Sequence, residues 1–459
     1  HTNKMTVEHY KHITCYIPRN LQIESINGYN KRWHEKYIWF IHSIIFSNLT
    51  TKEKFGGFIN LEQRLLQKYL GTRYANKIIK QLVENKIIEI NGKYSAGAFS
   101  RSYRLTPKYR SAKINSEKIT KQSYCRKIAL MQTEYIAQAV KESKLVQHEL
   151  MQCTYARIDI VKALDYIHSA YDEDSPQFKS RLIAIDQYHA MHKATFNNGR
   201  WNDIGFTFKV NKGRIYSPAT MLARDLEQFT YFYGYEGESV VSMDMPNSQL
   251  CFFDELIKRE SKVHNIGEYS RDDNDEINKD FDNSSEKITP LIPSLIPSPY
   301  VMHFRTNWSE YIFNGLGYER MMYLTQWCGK KQGHTKEERN EFKGEFFGQL
   351  FYNRYNDRLT DMEQTFMAYH EKEAIALREI KKRKGNKLLA VEVQRLEAKV
   401  FHTVIVDYMK REHKSVPFTI KHDSIAMPAR EASHILEELN KLVRVFFKRN
   451  EIELKISEL

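Results

Sequence analysis

Two apolar stretches of this chain are each broken by an aspartate. "VVSMDMPNSQLCFF" (240–253) reads as a buried strand until Asp244, and "VPFTIKHDSIAMP" (416–428) alternates like a strand, breaks at His422 and Asp423, then resumes. An isolated carboxylate in such a setting costs roughly several kcal/mol unless it finds a cation, a partner or a proton. A strand-end aspartate capping the turn at Pro246 and Asn247 would answer for Asp244 alone. Two such strands paired in one sheet would set Asp244 beside Asp423, and like charges that close stay ionised only with cations between them. Two divalent ions roughly 3.5–4 Å apart meet that need; they activate an attacking hydroxyl and stabilise a pyrophosphate leaving group. With oxygen donors in view and no thiolate cluster, two Mg²⁺ ions are the expected cofactor, with Mn²⁺ as a substitute.

Between the two segments, "RNEFKGEFFGQLFY" (339–352) spaces Arg339, Lys343, Phe347 and Phe351 four residues apart, which stacks them along one helix face. The cations suit a triphosphate, and the aromatics suit a base and sugar. Any amphipathic helix can show a cation every fourth residue, so the row gains weight from lying between the two aspartates.

The elements that must hold these residues are legible in outline. Strands are expected at "FTFKVNKGRIYSP" and at the Asp244 segment, then a helix over about 248–260. "GEYSRDDNDEINKDFDNSSEK" and "ITPLIPSLIPSP" follow, with eight acids and two bases between Glu268 and Glu286. They read as a flexible acidic and Pro-rich insertion over 262–300. Helices return from about 305 to 414, including the basic run "REIKKRKGNK". A hairpin at "FTIKHDSIAMP", a helix over 430–446 and a strand "IELKI" close the order. Residues 115–200 read as mainly helical.

Charge is concentrated upstream. Residues 1–120 hold 21 Lys or Arg against 8 Asp or Glu, a surplus equal to the +13 of all 459 residues. A basic, aromatic-rich domain is the footprint of a phosphate-backbone binder. Within it, helical patterns at 33–47, "NLEQRLLQKYL" (opening on an Asn60 cap) and "ANKIIKQLVENK" precede two strand-like runs, "IIEING" and "SRSYRLTPKY". The third helix has its apolar face on Ile78, Ile79 and Leu82. This order resembles the winged helix-turn-helix family, whose third helix enters the major groove. The resemblance implies DNA contacts from Arg73, Tyr74, Asn76, Lys77 and Lys80, with phosphate contacts from Lys93, Arg101 and Arg104 in the wing. Some winged helices serve protein contacts instead.

No run nears the roughly 20 apolar residues that span a bilayer. "HTNKMTVEHYKH" has no secretory pattern, and five scattered cysteines suit a reducing cytoplasm. His189 and His192 lack a third ligand and read as a surface helix.

The order "GRIYSP", Asp244 strand, Arg339/Lys343/Phe351 helix and "KHDSI" resembles the palm and fingers of the DNA polymerase I family and the single-subunit phage RNA polymerases. It covers about residues 205–446. The resemblance implies that Asp244 and Asp423 bind the metals, Arg339 and Lys343 the triphosphate, and Phe347 and Phe351 the nucleotide. It also implies that Arg214, Tyr216 and His422 lie along the primer, with Gln394 on the template. "DMPNSQ" departs from the DNA polymerases' Ser-Gln-x-Glu. Gln249 falls where those enzymes crowd a ribose 2′-hydroxyl, and Phe351 lacks a tyrosine's hydroxyl; both favour deoxynucleotides. His422-Asp423-Ser424 is instead the form seen in the RNA polymerases. No Asp-x-Glu exonuclease strand precedes residue 205.

The expectation is an α+β chain in three parts. A basic winged helix (1–115) and a helical, thumb-like region (116–204) precede a right-hand palm and fingers (205–459). It would be a non-proofreading DNA polymerase of a phage or mobile element, bound to primer-template, duplex DNA and nucleoside triphosphates, with no membrane partner. The rivals are a primase or single-subunit RNA polymerase, and a DNA-binding initiator or regulator with an inactive polymerase-like scaffold.

Overall fold

The computed structural model describes residues 12–50, 57–91, 101–142, 155–193, 196–197, 200–201, 209–211, 214–264, 308–313, 317–325 and 335–458. The chain is a mixed α+β fold with several small antiparallel sheets and many helices. No described helix is long and apolar enough to cross a membrane. Cys15, Cys125 and Cys251 are buried and free.

Among the described residues, three apolar cores organise the chain. The first gathers helices His34–Thr50, Gln63–Leu70 and Ala75–Glu84 against a three-stranded sheet of Ile59–Asn60, Ser102–Leu105 and Ile88–Asn91. Ile78, Ile79 and Leu82 face inward as their spacing requires. The expected Asn60 cap is absent. Asn60 ends a short strand, and the helix begins at Gln63 after Glu62. This core also takes in the ribbon of Ile13–Pro18 with Ile114–Ile119 and continues to Ile128, past residue 115.

The region 116–204 is helical at Gln122–Glu142, Ile160–Ala170 and Pro176–Lys193, and it also has a strand, Ala156–Ile158, paired with Thr230–Phe232. Helix Pro176–Lys193 sends Ile183 into the first core and Phe178, Ile185, Tyr188 and Met191 into the second. Apolar residues on several sides let one helix pack two ways. His192 is half-buried, and its Nε2 accepts the Ile158 amide at 3.1 Å.

The third and largest core lies under a four-stranded antiparallel sheet. The strand order is Thr419–Lys421, Ser424–Pro428, Val240–Asp244, Lys455–Glu458. Helix Ala429–Phe447 seals it with Ala432, Ile435, Leu439, Val443 and Phe447, one residue every three or four. Each large side chain so buried contributes about 1.5–3 kcal/mol. The helix expected over about 248–260 is present as Ser248–His264, beginning with "SQLCFF". The chain re-enters at helix Trp308–Phe313, where a buried clamp joins the two helices. Asp254 accepts from Ser309 at 2.9 Å and pairs with Lys258. The insertion expected at 262–300 lies outside the described residues from 265 onward.

Candidate active site

Asp244 occupies the last position of its strand, because Pro246 beyond it cannot donate to the ladder. It is half-exposed, which revises the expectation of a mid-strand charge. In register it faces Ser424 on one neighbouring strand and Lys455 on the other. Ser242 Oγ donates to its Oδ1 at 3.2 Å, and Ser457 Oγ donates to its Oδ2 at 2.9 Å.

Asp423 arrives from the next strand over. Lys421 pairs with Ser424, so His422 and Asp423 form a two-residue hairpin loop, and His422 takes the left-handed φ of 60° that such a loop favours. The Met245 amide donates to the Asp423 carbonyl at 3.3 Å, and the Ser248 hydroxyl donates to Asp423 Oδ2. The two aspartate turns are thus bolted to each other, and facing residues in an antiparallel pair lie roughly 4.5–5.5 Å apart at Cα.

Both aspartates line one cavity of about 520 Å³, together with Arg339, Lys343, Lys421 and His422. Among the described residues neither aspartate is in an ion pair. The cations come from helix Lys336–Phe346, whose start is fixed by a reciprocal Thr335–Glu338 capping box. Arg339 Nε donates to Glu319 at 2.6 Å, and another guanidinium nitrogen reaches Asn247 Oδ1 at 3.4 Å. Arg339 and Lys343 both lie over the buried Tyr318 ring, at 5.1 and 5.3 Å from its centroid. Burial pushes the Lys343 ammonium below the usual lysine range; Asp423 opposes that shift and Arg339 reinforces it.

The aromatic half of the row does not reach the cavity. Phe347 and Phe351 are 5% and 1% exposed, and Phe351 stacks on Phe253 at 3.8 Å in the core. With 3.6 residues per turn, a four-residue step overshoots by about 40°, so such a row winds off its face within three steps. Here the helix also passes into a π-turn at Phe347–Phe351. Gln249 is half-exposed outside the cavity lining; its neighbour Ser248 is the residue on Asp423. Gln394 also lies off the lining, on helix Asn386–Lys399, which contacts strand Arg214–Tyr216. Tyr216 meets His422 edge-on at 5.7 Å. Arg214 lies on that strand, with its side chain outside the described residues.

Along helix Ala75–Glu84 and the turn before it, Arg73, Tyr74, Asn76, Lys77 and Lys80 are exposed. Tyr74 is partly committed inward, packing on Trp33 at 5.5 Å beneath Lys36. Lys80 pairs with Glu84, and Asn76 accepts from Gln63. At strand Ser102–Leu105, Arg101 just before it is exposed, whereas Arg104 is neutralised by Glu89 at 2.6 Å and stacked over Phe58. Lys93 lies outside the described residues.

Sequence reasoning missed Ser242, Ser248 and Ser457 as the hydroxyls that hold the aspartates, and Tyr318 and Glu319 beneath the cations. It also missed Lys421, which pairs with Glu227 and is pushed down to about 8 by burial and by Arg224. None of these has a local signature except Ser248, which follows the left-handed Asn247 at a helix start.

Among the described residues no three His, Cys, Asp or Glu side chains gather to hold a metal by themselves. Magnesium commonly takes one or two carboxylates and completes its shell with water and substrate phosphates. Two hard carboxylates facing a cavity that Arg339 and Lys343 also line fit a metal that arrives with a triphosphate. No protein-family model matches the chain, and no curated protein matches it.

Proposed function

We propose that this chain is a template-dependent nucleotidyltransferase related to the DNA polymerase I and phage RNA polymerase superfamily, most directly a DNA polymerase without proofreading. In this reading the four-stranded sheet is the palm, the helices from 336 to 399 are fingers, and the helical region before residue 204 is the thumb. One observation carries it: Asp244 at the end of one strand and Asp423 in the hairpin turn beside it open on the same cavity as Arg339 and Lys343.

Arg339 and Lys343 hold the triphosphate, and Arg339 must loosen Glu319 to do so. Lys343, as an ammonium of lowered pKa, is the acid placed to protonate the departing pyrophosphate. Asp244 and Asp423 would hold Mg²⁺, which when bound lowers the cost of forming the nucleophilic 3′-oxygen and of releasing pyrophosphate. Ser242, Ser457 and Ser248 orient those carboxylates through their hydroxyls. Tyr216 and His422 form the edge along which the primer would lie. The winged helix, through Arg73 and Lys77, would anchor the chain on duplex DNA.

The test is extension of a primed DNA template with Mg²⁺ and either deoxy- or ribonucleotides. Wild-type protein should extend the primer. Asp244→Asn and Asp423→Asn should each lose at least about a thousandfold in rate, roughly 4 kcal/mol, with melting temperature and duplex binding unchanged. No synthesis with either sugar removes the enzyme reading and leaves the DNA-binding initiator; synthesis that survives both changes removes these two aspartates from catalysis. A second reading, the primase or RNA polymerase, is favoured by His422-Asp423-Ser424, the form seen in the RNA polymerases. Extension with ribonucleotides alone would select it.

A further inference from the structure

The basic run "REIKKRKGNK" (378–387) takes no part in the cavity. It forms the end of helix Glu371–Lys384, the Gly385 turn and the start of helix Asn386–Lys399. Against it lies the loop that follows the Phe347–Phe351 turn, beginning at Tyr352. That loop is firmly tied down. Arg378 donates to the Asn356 carbonyl at 2.9 Å, Lys381 to Asn353 and Asn386 to the Tyr352 carbonyl. Arg378 and Lys382 both stand over the Tyr355 ring, at 4.9 and 6.0 Å. Tyr352 is 41% exposed, and its ring stacks on Phe347 at 5.6 Å.

Some of the nearby cations are already used. Lys381 is buried with Glu363 at 3.0 Å, and Lys384 pairs with Glu260 at 2.6 Å. Arg354, Arg358, Lys382, Arg383 and Lys387 are exposed, and among the described residues they make no ion pair. The acids on this surface, Asp357, Asp361 and Glu379, are fewer. Cations in a last helical turn complement the helix dipole, which accounts for Lys382 and Arg383. It does not account for two arginines in a loop, or for two tyrosines held at the surface among them.

We propose that this surface binds single-stranded nucleic acid, with phosphates on Arg354, Lys382 and Arg383 and unpaired bases on Tyr352 and Tyr355. A basic groove with aromatic platforms takes single strands because every unpaired base offers a π-face. A duplex hides its base faces, and an acidic protein segment would use the cations alone. The loop is already ordered by its contacts with two helices, so binding costs little further entropy. The inference goes beyond the proposed reaction: a strand binds here without nucleotide, metal or chemistry.

The experiment measures anisotropy of labelled oligo(dT), oligo(U) and a DNA duplex, each about 20 nucleotides long, against the full chain across a KCl series without divalent metal. Each single-strand phosphate contact contributes a slope of about 0.7 in log K against log salt. The triple variant Arg354→Gln/Lys382→Gln/Arg383→Gln should therefore lower the single-strand slope by about 2. Tyr355→Ala and Tyr352→Ala should weaken single-strand binding about tenfold at fixed salt, leaving that slope and duplex binding unchanged, whereas Tyr355→Phe should retain affinity. If Tyr352→Ala loses the fold with its packing on Phe347, the Tyr355 pair carries the test. A deficit on both oligonucleotides supports a strand of either sugar, and a deficit on one assigns DNA or RNA. An unchanged slope in the triple variant overturns the proposal. So do tyrosine variants that bind single strands like wild type, or that lose duplex equally.

Discussion

Arg339 Nε donates to Glu319 Oε1 at 2.6 Å at the edge of the cavity, so the first cation proposed to receive a triphosphate already has a carboxylate partner. Phosphate must displace or share that partner. Glu319→Gln keeps the shape and removes the competing charge. The expected result is nucleotide KM lowered about three- to tenfold with kcat nearly unchanged, read from steady-state extension kinetics. An unaltered KM would place Arg339 outside triphosphate binding.

Sugar choice should not respond to the two positions that a linear alignment singles out. Gln249 lies off the cavity lining and Phe351 is stacked in the core. Gln249→Gly should leave the ratio of deoxy- to ribonucleotide kcat/KM within about twofold. Phe351→Tyr should act on stability instead, because it buries a hydroxyl without a partner. The expected loss is about 1–3 kcal/mol in denaturant unfolding. A large change in sugar preference from either variant would mean that these side chains reach the substrate.

The surface of Arg73 and Lys77, proposed to meet duplex DNA, should supply the salt-sensitive part of that binding. Arg73 and Lys77 are exposed, while Arg104 is already spent on Glu89. Arg73→Gln/Lys77→Gln should reduce the slope of log K against log salt by about 2 on duplex DNA, at about 0.9 per contact. Arg104→Gln should change it by far less. Equal slopes for all three proteins would remove this helix from the DNA.

Stability should fall on mild acidification. His370 is 5% exposed between Trp308 and Phe366, and burial, helped by Arg320, pushes its pKa from 6.5 down to about 3. Between these values the unfolded chain holds the extra proton, so stability is complete above about pH 6.5 and declines as pH falls. At pH 5 this one group accounts for about 2 kcal/mol. His370→Phe fills the same aromatic site without titrating, and should flatten the pH dependence of unfolding by about that amount. An unchanged profile would mean that His370 does not stay neutral in the fold.

Local pattern was enough to find many of the helices and strands, though not strand Ala156–Ile158 or the ribbon of Ile13–Pro18 with Ile114–Ile119. Ile78, Ile79 and Leu82 repeat with the helical period, and the strands around Asp244 and Asp423 alternate or run apolar until a charge, a proline or a turn stops them. The two aspartate strands are expected to pair because two interrupting charges need common compensation, and the sheet does pair them. What lies beside each aspartate was decided only by tertiary structure. Ser457 meets Asp244 from a strand more than two hundred residues away, and Glu319 meets Arg339 from another helix. Nothing local encodes either contact. The row Arg339, Lys343, Phe347, Phe351 looked like one face in sequence. Accumulated helical drift and the π-turn instead divide it, leaving cations at the cavity and aromatics in the core. Hydrophobic burial sets that division: both rings have a core to enter, and the charged groups do not.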